Sequence, residues 1–139
     1  MSGTIYLADT SVYVLQGRYS QVRQRFETLL TQGRLAACQM TALEYLNNAP
    51  DPQSYERLWH AFQAHRWFDV SVEVMDRALA THRALAAVSQ HRQFRLPDLI
   101  IAATAELNNA TVLHYDAAYD RIAAITQQPT EWVADRGSL

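Results

Sequence analysis

Apolar residues fall along this chain in two rhythms, short unbroken runs and longer stretches with helical spacing, and the two alternate almost from end to end. Thr4 to Ala8 reads as a buried strand ending at Asp9, after which Thr10-Ser11 open a helical stretch through Val14-Leu15 to Gly17. A second helix is predicted from about Ser20 to Gln32, with Val22, Phe26, Leu29 and Leu30 on one stripe and Gly33 as its stop. Arg34 to Cys38 is a short apolar strand, and Thr41-Ala42-Leu43-Glu44 has the form of a capping box that starts the next helix. Asn47-Asn48-Ala49-Pro50-Asp51-Pro52 breaks that helix, and Gln53 to His65 is helical again. Trp67 to Val70 is a candidate short strand, followed by a long Ala-rich helix from Ser71 to Gln90 with Val74, Ala78, Leu79, Leu85 and Val88 turned inward. Leu96-Pro97-Asp98 restarts a helix through Leu107, with proline where its missing N–H costs nothing, and Asn108-Asn109 end it. Thr111 to Tyr115 is a clear strand closed by Asp116, Ala117 to Ala124 a short helix, and Thr130 to Val133 a last edge strand.

Strands separated by helices indicate an α/β fold, a small and mostly parallel sheet covered by helices on both faces. Right-handed crossovers put the carboxyl ends of such strands on one edge, where ligands bind. The chain has 139 residues, a common size for one domain, and no linker or repeat divides it, so residues 1–139 are expected to form a single domain.

Composition narrows the function. Hydrophobic residues make up 49% and charged residues 19%, which excludes disordered and low-complexity classes. No apolar run approaches the roughly 20 residues of a membrane helix, and Met1 to Tyr6 lacks a basic flank leading to an apolar stretch, so no membrane association and a cytoplasmic location are expected. Cys38, alone in an apolar run, reads as a buried inert thiol. All 12 basic residues are arginine. The absence of lysine excludes the receiver domain of signalling relays, a small doubly wound fold whose acidic pocket works with a lysine. Neither a Gly-x-x-x-x-Gly-Lys nor a Gly-x-Gly-x-x-Gly loop is present, which removes common nucleotide-binding readings. His60, His65, His82 and His91 have no zinc-like spacing. The net charge is −2, unlike a protein that merely coats nucleic acid. Setting four carboxylates aside from the 14 acids leaves 10 against 12 arginines, or +2 elsewhere, and arginine's fork suits phosphate.

The four carboxylates are Asp9, Glu44, Asp98 and Asp116. Asp9 and Asp116 each follow an apolar strand and precede a helix, so both are expected on the same sheet edge. Glu44 comes shortly after the second strand and can face the same cleft; the spacing of Asp98 does not bring it there. Taken singly, each has an ordinary explanation as a helix-cap or turn acid. Four acids gathered from separate stretches would instead repel one another without a cation, and Mg²⁺ or Mn²⁺ is held by one or two carboxylates plus waters and substrate phosphate.

The segments Ile5-Tyr6-Leu7-Ala8-Asp9-Thr10-Ser11, Thr41-Ala42-Leu43-Glu44, Leu96-Pro97-Asp98-Leu99-Ile100-Ile101-Ala102-Ala103-Thr104-Ala105, and Val112-Leu113-His114-Tyr115-Asp116 with Tyr119-Asp120-Arg121-Ile122 resemble the four motifs of PIN-domain ribonucleases. In order, spacing and length the chain is similar to the VapC-type toxins of bacterial toxin–antitoxin pairs. The resemblance implies an endoribonuclease that cuts single-stranded or looped RNA with Mg²⁺ or Mn²⁺, pairs as a homodimer and is restrained by a small antitoxin protein. It brings Asp98 to the cleft and makes Asp9, Glu44, Asp98 and Asp116 the metal-holding and catalytic acids. Asp9 and Asp98 are the closest ligands, Asp116 completes the shell directly or through water, and Glu44 ligates or takes a proton from the attacking water. The Thr10 and Ser11 hydroxyls are expected to orient the first carboxylate or a water. Many relatives carry a second aspartate where this chain has Ala118, and Asp120 is either a water-mediated substitute or a helix-surface acid. Tyr13, Tyr45 and Tyr119 are candidates for base stacking, with packing as the ordinary alternative. The antitoxin groove is expected along Thr10–Gly17 and Thr41–His65, with Tyr13, Leu46, Tyr55, Leu58, Trp59 and Phe62. The rival readings are a PIN-like partner-binding module without nuclease activity and a nuclease with a housekeeping role in RNA processing.

Overall fold

The structure is a computed structural model that describes residues 3–139. Met1 and Ser2, part of the segment read above for a leader, lie outside the described residues. Five strands, β1 (Tyr6–Ala8), β2 (Leu35–Ala37), β3 (Arg66–Trp67), β4 (Thr111–His114) and β5 (Thr130–Trp132), form one sheet in the order β3-β2-β1-β4-β5. Every pairing is parallel, with Leu7 opposite Ala36 on one side and Val112 on the other.

Period-two alternation explains how so short a sheet supports helices on both faces. Tyr6 and Ala8 point into a core with α1 (Thr10–Gln16), α2 (Ser20–Thr31), α3 (Gln39–Leu46) and α4 (Pro52–Phe62), where Val12, Val22, Phe26, Leu46 and Phe62 are buried. Leu7, between them, points the other way with Ala36, Cys38 and Val112. There it meets Leu85 of α5 (Val72–Ala87), Leu99, Ile101 and Ala102 of α6 (Leu96–Leu107), and Tyr119 and Ile122 of α7 (Ala118–Thr126). A short 3₁₀ turn at His91–Gln93 joins α5 to α6. Gly33 ends the α2 region at φ +68°, a conformation that favours glycine. No helix among the described residues is long and apolar enough to cross a membrane.

The expected elements appear with shifted ends, and some details differ. Helix α3 begins at Gln39 with Cys38 at its N-cap, so Thr41 is a buried interior residue beside the Cys38 thiol, and no capping box forms with Glu44. Leu79 and Val88, expected inward, are 66% and 52% exposed, because Val74, Ala78, Thr81 and Leu85 alone define the buried stripe of α5. The third strand is Arg66–Trp67 rather than Trp67–Val70, and both its residues are exposed.

Candidate active site

Chain order runs outward from β1 to β2 and β3, then jumps back across to β4, so the carboxyl ends of β1 and β4 flank the switch point of the sheet. Asp9 leaves β1 there, and its N–H donates to the Leu113 carbonyl of β4 at 2.8 Å. It is the N-cap of α1: one carboxylate oxygen, Oδ2, accepts the Ser11 N–H at 3.1 Å. The ordinary cap role and the clustered-acid role therefore coexist in one residue. Asp116 follows β4, its Oδ1 accepts the Ala118 N–H at 2.9 Å and its own N–H donates to His114 Nδ1 at 3.1 Å. That bond leaves the proton of neutral His114 on Nε2.

Asp98, which spacing alone left unplaced, comes to the same edge in the first turn of α6, where the helix dipole favours an anion. It is 3% exposed. Burial, and then the charge of Asp9, push its carboxyl up to about 7; Arg95 works against the shift, while Asp116 and Glu44 add to it. Glu44 lies on α3 and is tied on both sides: Thr10 donates its hydroxyl to Oε1 at 2.8 Å and Arg95 forms an ion pair with Oε2. All four predicted acids thus converge on one edge from four elements.

Neither of the two hydroxyls bonds the first carboxylate. Thr10 orients Glu44 rather than Asp9, and Ser11 offers its oxygen to the Tyr115 N–H at 3.3 Å, bracing β4. Asp120 is engaged by the Trp132 indole N–H at 3.1 Å on the helix surface. Tyr13 and Tyr119 are 3% and 0% exposed, so neither presents a face to a base, and the partly buried Tyr45 packs on the core. Two polar groups at this edge went unsignalled. Arg95, just before α6, is the sole guanidinium paired with these acids among the described residues, and only its proximity in the chain to Asp98 hinted at it. The Tyr119 hydroxyl donates to Asp9 Oδ1 at 2.6 Å.

Four carboxylates facing one guanidinium leave net negative charge at this edge, where Asp9 and Asp98 are buried and Asp116 is exposed. As placed, no three His, Cys, Asp or Glu side chains among the described residues form a ready ligand set for one ion. Magnesium needs only one or two carboxylates, with water filling the rest of its octahedron, and the pair Asp9 and Asp98, both within reach of one phenol oxygen, meets that demand.

A family model described as "PIN domain" matches residues 6–125. Ribonuclease VapC18 of Mycobacterium tuberculosis is 37% identical over 97% of this chain and 99% of its own length. Ribonuclease VapC51 of the same organism is 40% identical over 96% of each. Among solved structures, VapBC2 of Rickettsia felis bound to a promoter DNA fragment superposes at TM-score 0.75, 16% identity, covering 92% of this chain and 98% of that one. DNA-bound VapBC of Salmonella typhimurium gives 0.74 and 16% over 95% and 100%. At such identities the solved structures speak for the fold alone.

Proposed function

The chain belongs to the PIN-domain family, and from that premise we propose that it is a metal-dependent endoribonuclease, the toxin of a toxin–antitoxin pair. The observation that carries the reading is Asp98, a buried carboxylate raised to about 7 by desolvation and by acids from three other elements, a concentration of charge that suits a cation. Mg²⁺ or Mn²⁺, when bound, supplies a water made nucleophilic near neutral pH and neutralises charge on the scissile phosphate. Asp9 and Asp98 are the residues to hold it, with Asp116 and Glu44 completing the shell directly or through water. Arg95, 65% exposed at its side chain and, among the described residues, ion-paired to Glu44 alone, is suited to take a phosphate oxygen of the RNA strand. Incubating purified chain with total RNA tests the reading. Cuts are expected with Mg²⁺ or Mn²⁺ and none in chelator, and sequencing the new ends identifies the target; intact RNA in both conditions would sink it.

The antitoxin surface is narrower than the sequence suggested. Tyr13, Leu46 and Phe62 belong to the core, whereas Leu43, Tyr55, Trp59 and Trp67 are exposed. Tyr55 and Trp59 stack with ring centres 6.5 Å apart, beside a cavity of about 290 Å³ lined by Ala42, Trp59, Gln63 and Trp67. Exposed aromatics over a pocket are the usual anchors of an interface. Trp59→Ala is expected to weaken antitoxin binding by more than about tenfold with cleavage retained; calorimetry with the cognate antitoxin checks this, and unchanged affinity moves the interface elsewhere.

A second copy is proposed over α5 and α6, where Val72, Met75, Leu79 and Leu96 are exposed and the last three line a cavity of about 280 Å³. Antiparallel pairing of two α5 helices about Leu79 would bring Asp76 of each copy near Arg83 of the other, a self-complementary arrangement of the kind a two-fold interface requires. Leu79→Asp should therefore run as a monomer in light scattering while the wild type runs as a dimer. Equal masses would reject this face.

A further inference from the structure

Tyr119 sits in the first turn of α7 with no exposed surface, and its ring lies tilted against His114 with centres 5.0 Å apart. Its hydroxyl is 2.6 Å from Asp9 Oδ1 and 3.4 Å from Asp98 Oδ1. A phenol has one proton to give. At these distances Asp9 receives it, and Asp98 has only the 3.4 Å approach of the same oxygen and no side-chain proton donor among the described residues. The other Asp9 oxygen is already taken by the Ser11 N–H. Each Asp9 oxygen thus has one fixed donor and one free lone pair, so the carboxylate plane is set before any ligand arrives.

We propose that Tyr119 is a positioning residue of the acidic site: its hydroxyl locks Asp9 in the orientation that receives the divalent cation and leaves Asp98 without a competing side-chain donor. The inference rests on the nuclease reading above and extends it to a residue that touches neither metal nor RNA. Its chemistry is that of an outer-shell donor, which fixes a ligand's geometry rather than supplying a bond to the ion. The neighbouring position is Ala118, which has no polar group to share this work. A purely structural account, in which the hydroxyl only satisfies a buried carboxylate, predicts a loss of stability and no change in metal affinity.

Tyr119→Phe separates the two, since the ring packing is kept and one oxygen is removed. Mn²⁺ and Mg²⁺, each alone and without RNA, are titrated into wild type and variant by calorimetry, and the rise in melting temperature is followed across the same titration. The expected result is a folded variant whose metal dissociation constant is about 10 to 100 times weaker. Its metal-induced rise in melting temperature should be smaller at every subsaturating concentration. Steady-state cleavage should show an unchanged KM for RNA and a kcat that falls at low metal and recovers toward wild type when metal is saturating. A dissociation constant within twofold of wild type, a tighter one, or a variant that does not fold would overturn the proposal, the last making the hydroxyl a structural bond. Wild type that binds neither ion would instead bring down the nuclease reading itself.

Discussion

Asp98→Asn is expected to fold normally and to lose cleavage by more than about 100-fold, the upper end of the loss seen when only a supporting residue of a metal site is removed. The substitution keeps shape while removing the charge at the most buried of the four acids, at a position where the Arg95 guanidinium and the acids Asp9, Asp116 and Glu44 all bear on it. Asp9→Asn should behave similarly, since the amide keeps an oxygen to accept the Tyr119 hydroxyl but is a poor ligand for a hard cation. Glu44→Gln should also remove most cleavage, and because its partners are Thr10 and Arg95 the damage should extend to how Arg95 is held. Purified variants are assayed on the RNA that wild type cuts, in Mg²⁺ and in Mn²⁺, with folding checked by circular dichroism. Near-wild-type cleavage by the Asp98 variant would falsify its place in the site.

Why some of this was legible in the sequence and some was not follows from how local each feature is. Asp9 and Asp116 are fixed by strands that immediately precede them, so apolar runs of a few residues were enough to put both on one edge. Asp98 reaches the same edge only because α6 packs over β1 and β4 through Leu99, Ile101 and Ala102, a long-range arrangement that periodicity within α6 does not encode; the motif resemblance supplied it. The start of α3 was misread because Thr-x-x-Glu imitates a capping box, while the true first turn, Gln39-Met40-Thr41, has no such signal and follows an unassisted Cys38 cap. Tyr119 was taken as a stacking candidate, although its spacing from Ile122 puts both on the buried stripe of α7 and was there to be used. Leu79 and Val88 were misplaced for the opposite reason: α5 has apolar residues on two faces, and a single sequence does not say which face meets the sheet.

On the proposed metal-dependent reading, the site also ties stability and metal affinity to pH. Asp98 holds a proton in the folded, metal-free protein up to about pH 7, whereas the unfolded chain releases it near the usual value of about 3.9. Between those values the folded state binds more protons than the unfolded one, so this group's contribution to stability falls as pH rises from about 4 to 7 and is flat above. His65 and His114, both lowered by burial, act in the reverse sense and cost stability as pH falls below about 6.5, so the wild-type curve alone hides the effect. The difference between wild type and Asp98→Asn isolates it. In chelator the variant should melt higher than wild type at pH 8, with the gap closing toward pH 5. A cation reverses the order, because it requires Asp98 ionised: below its carboxyl value of about 7, each pH unit should weaken wild-type metal affinity about tenfold, so that binding at pH 5 is about 100 times weaker than at pH 8. Thermal melts at pH 5, 6, 7 and 8, with chelator and across a Mg²⁺ or Mn²⁺ titration, measure both quantities on the same samples. If Asp98 were only an acid at a helix start, its loss should cost stability of about 0.5 to 1 kcal/mol at pH 8 with or without metal. A variant less stable than wild type in chelator at pH 8, together with metal affinity that does not change with pH, would place Asp98 among ordinary helix caps and outside the site.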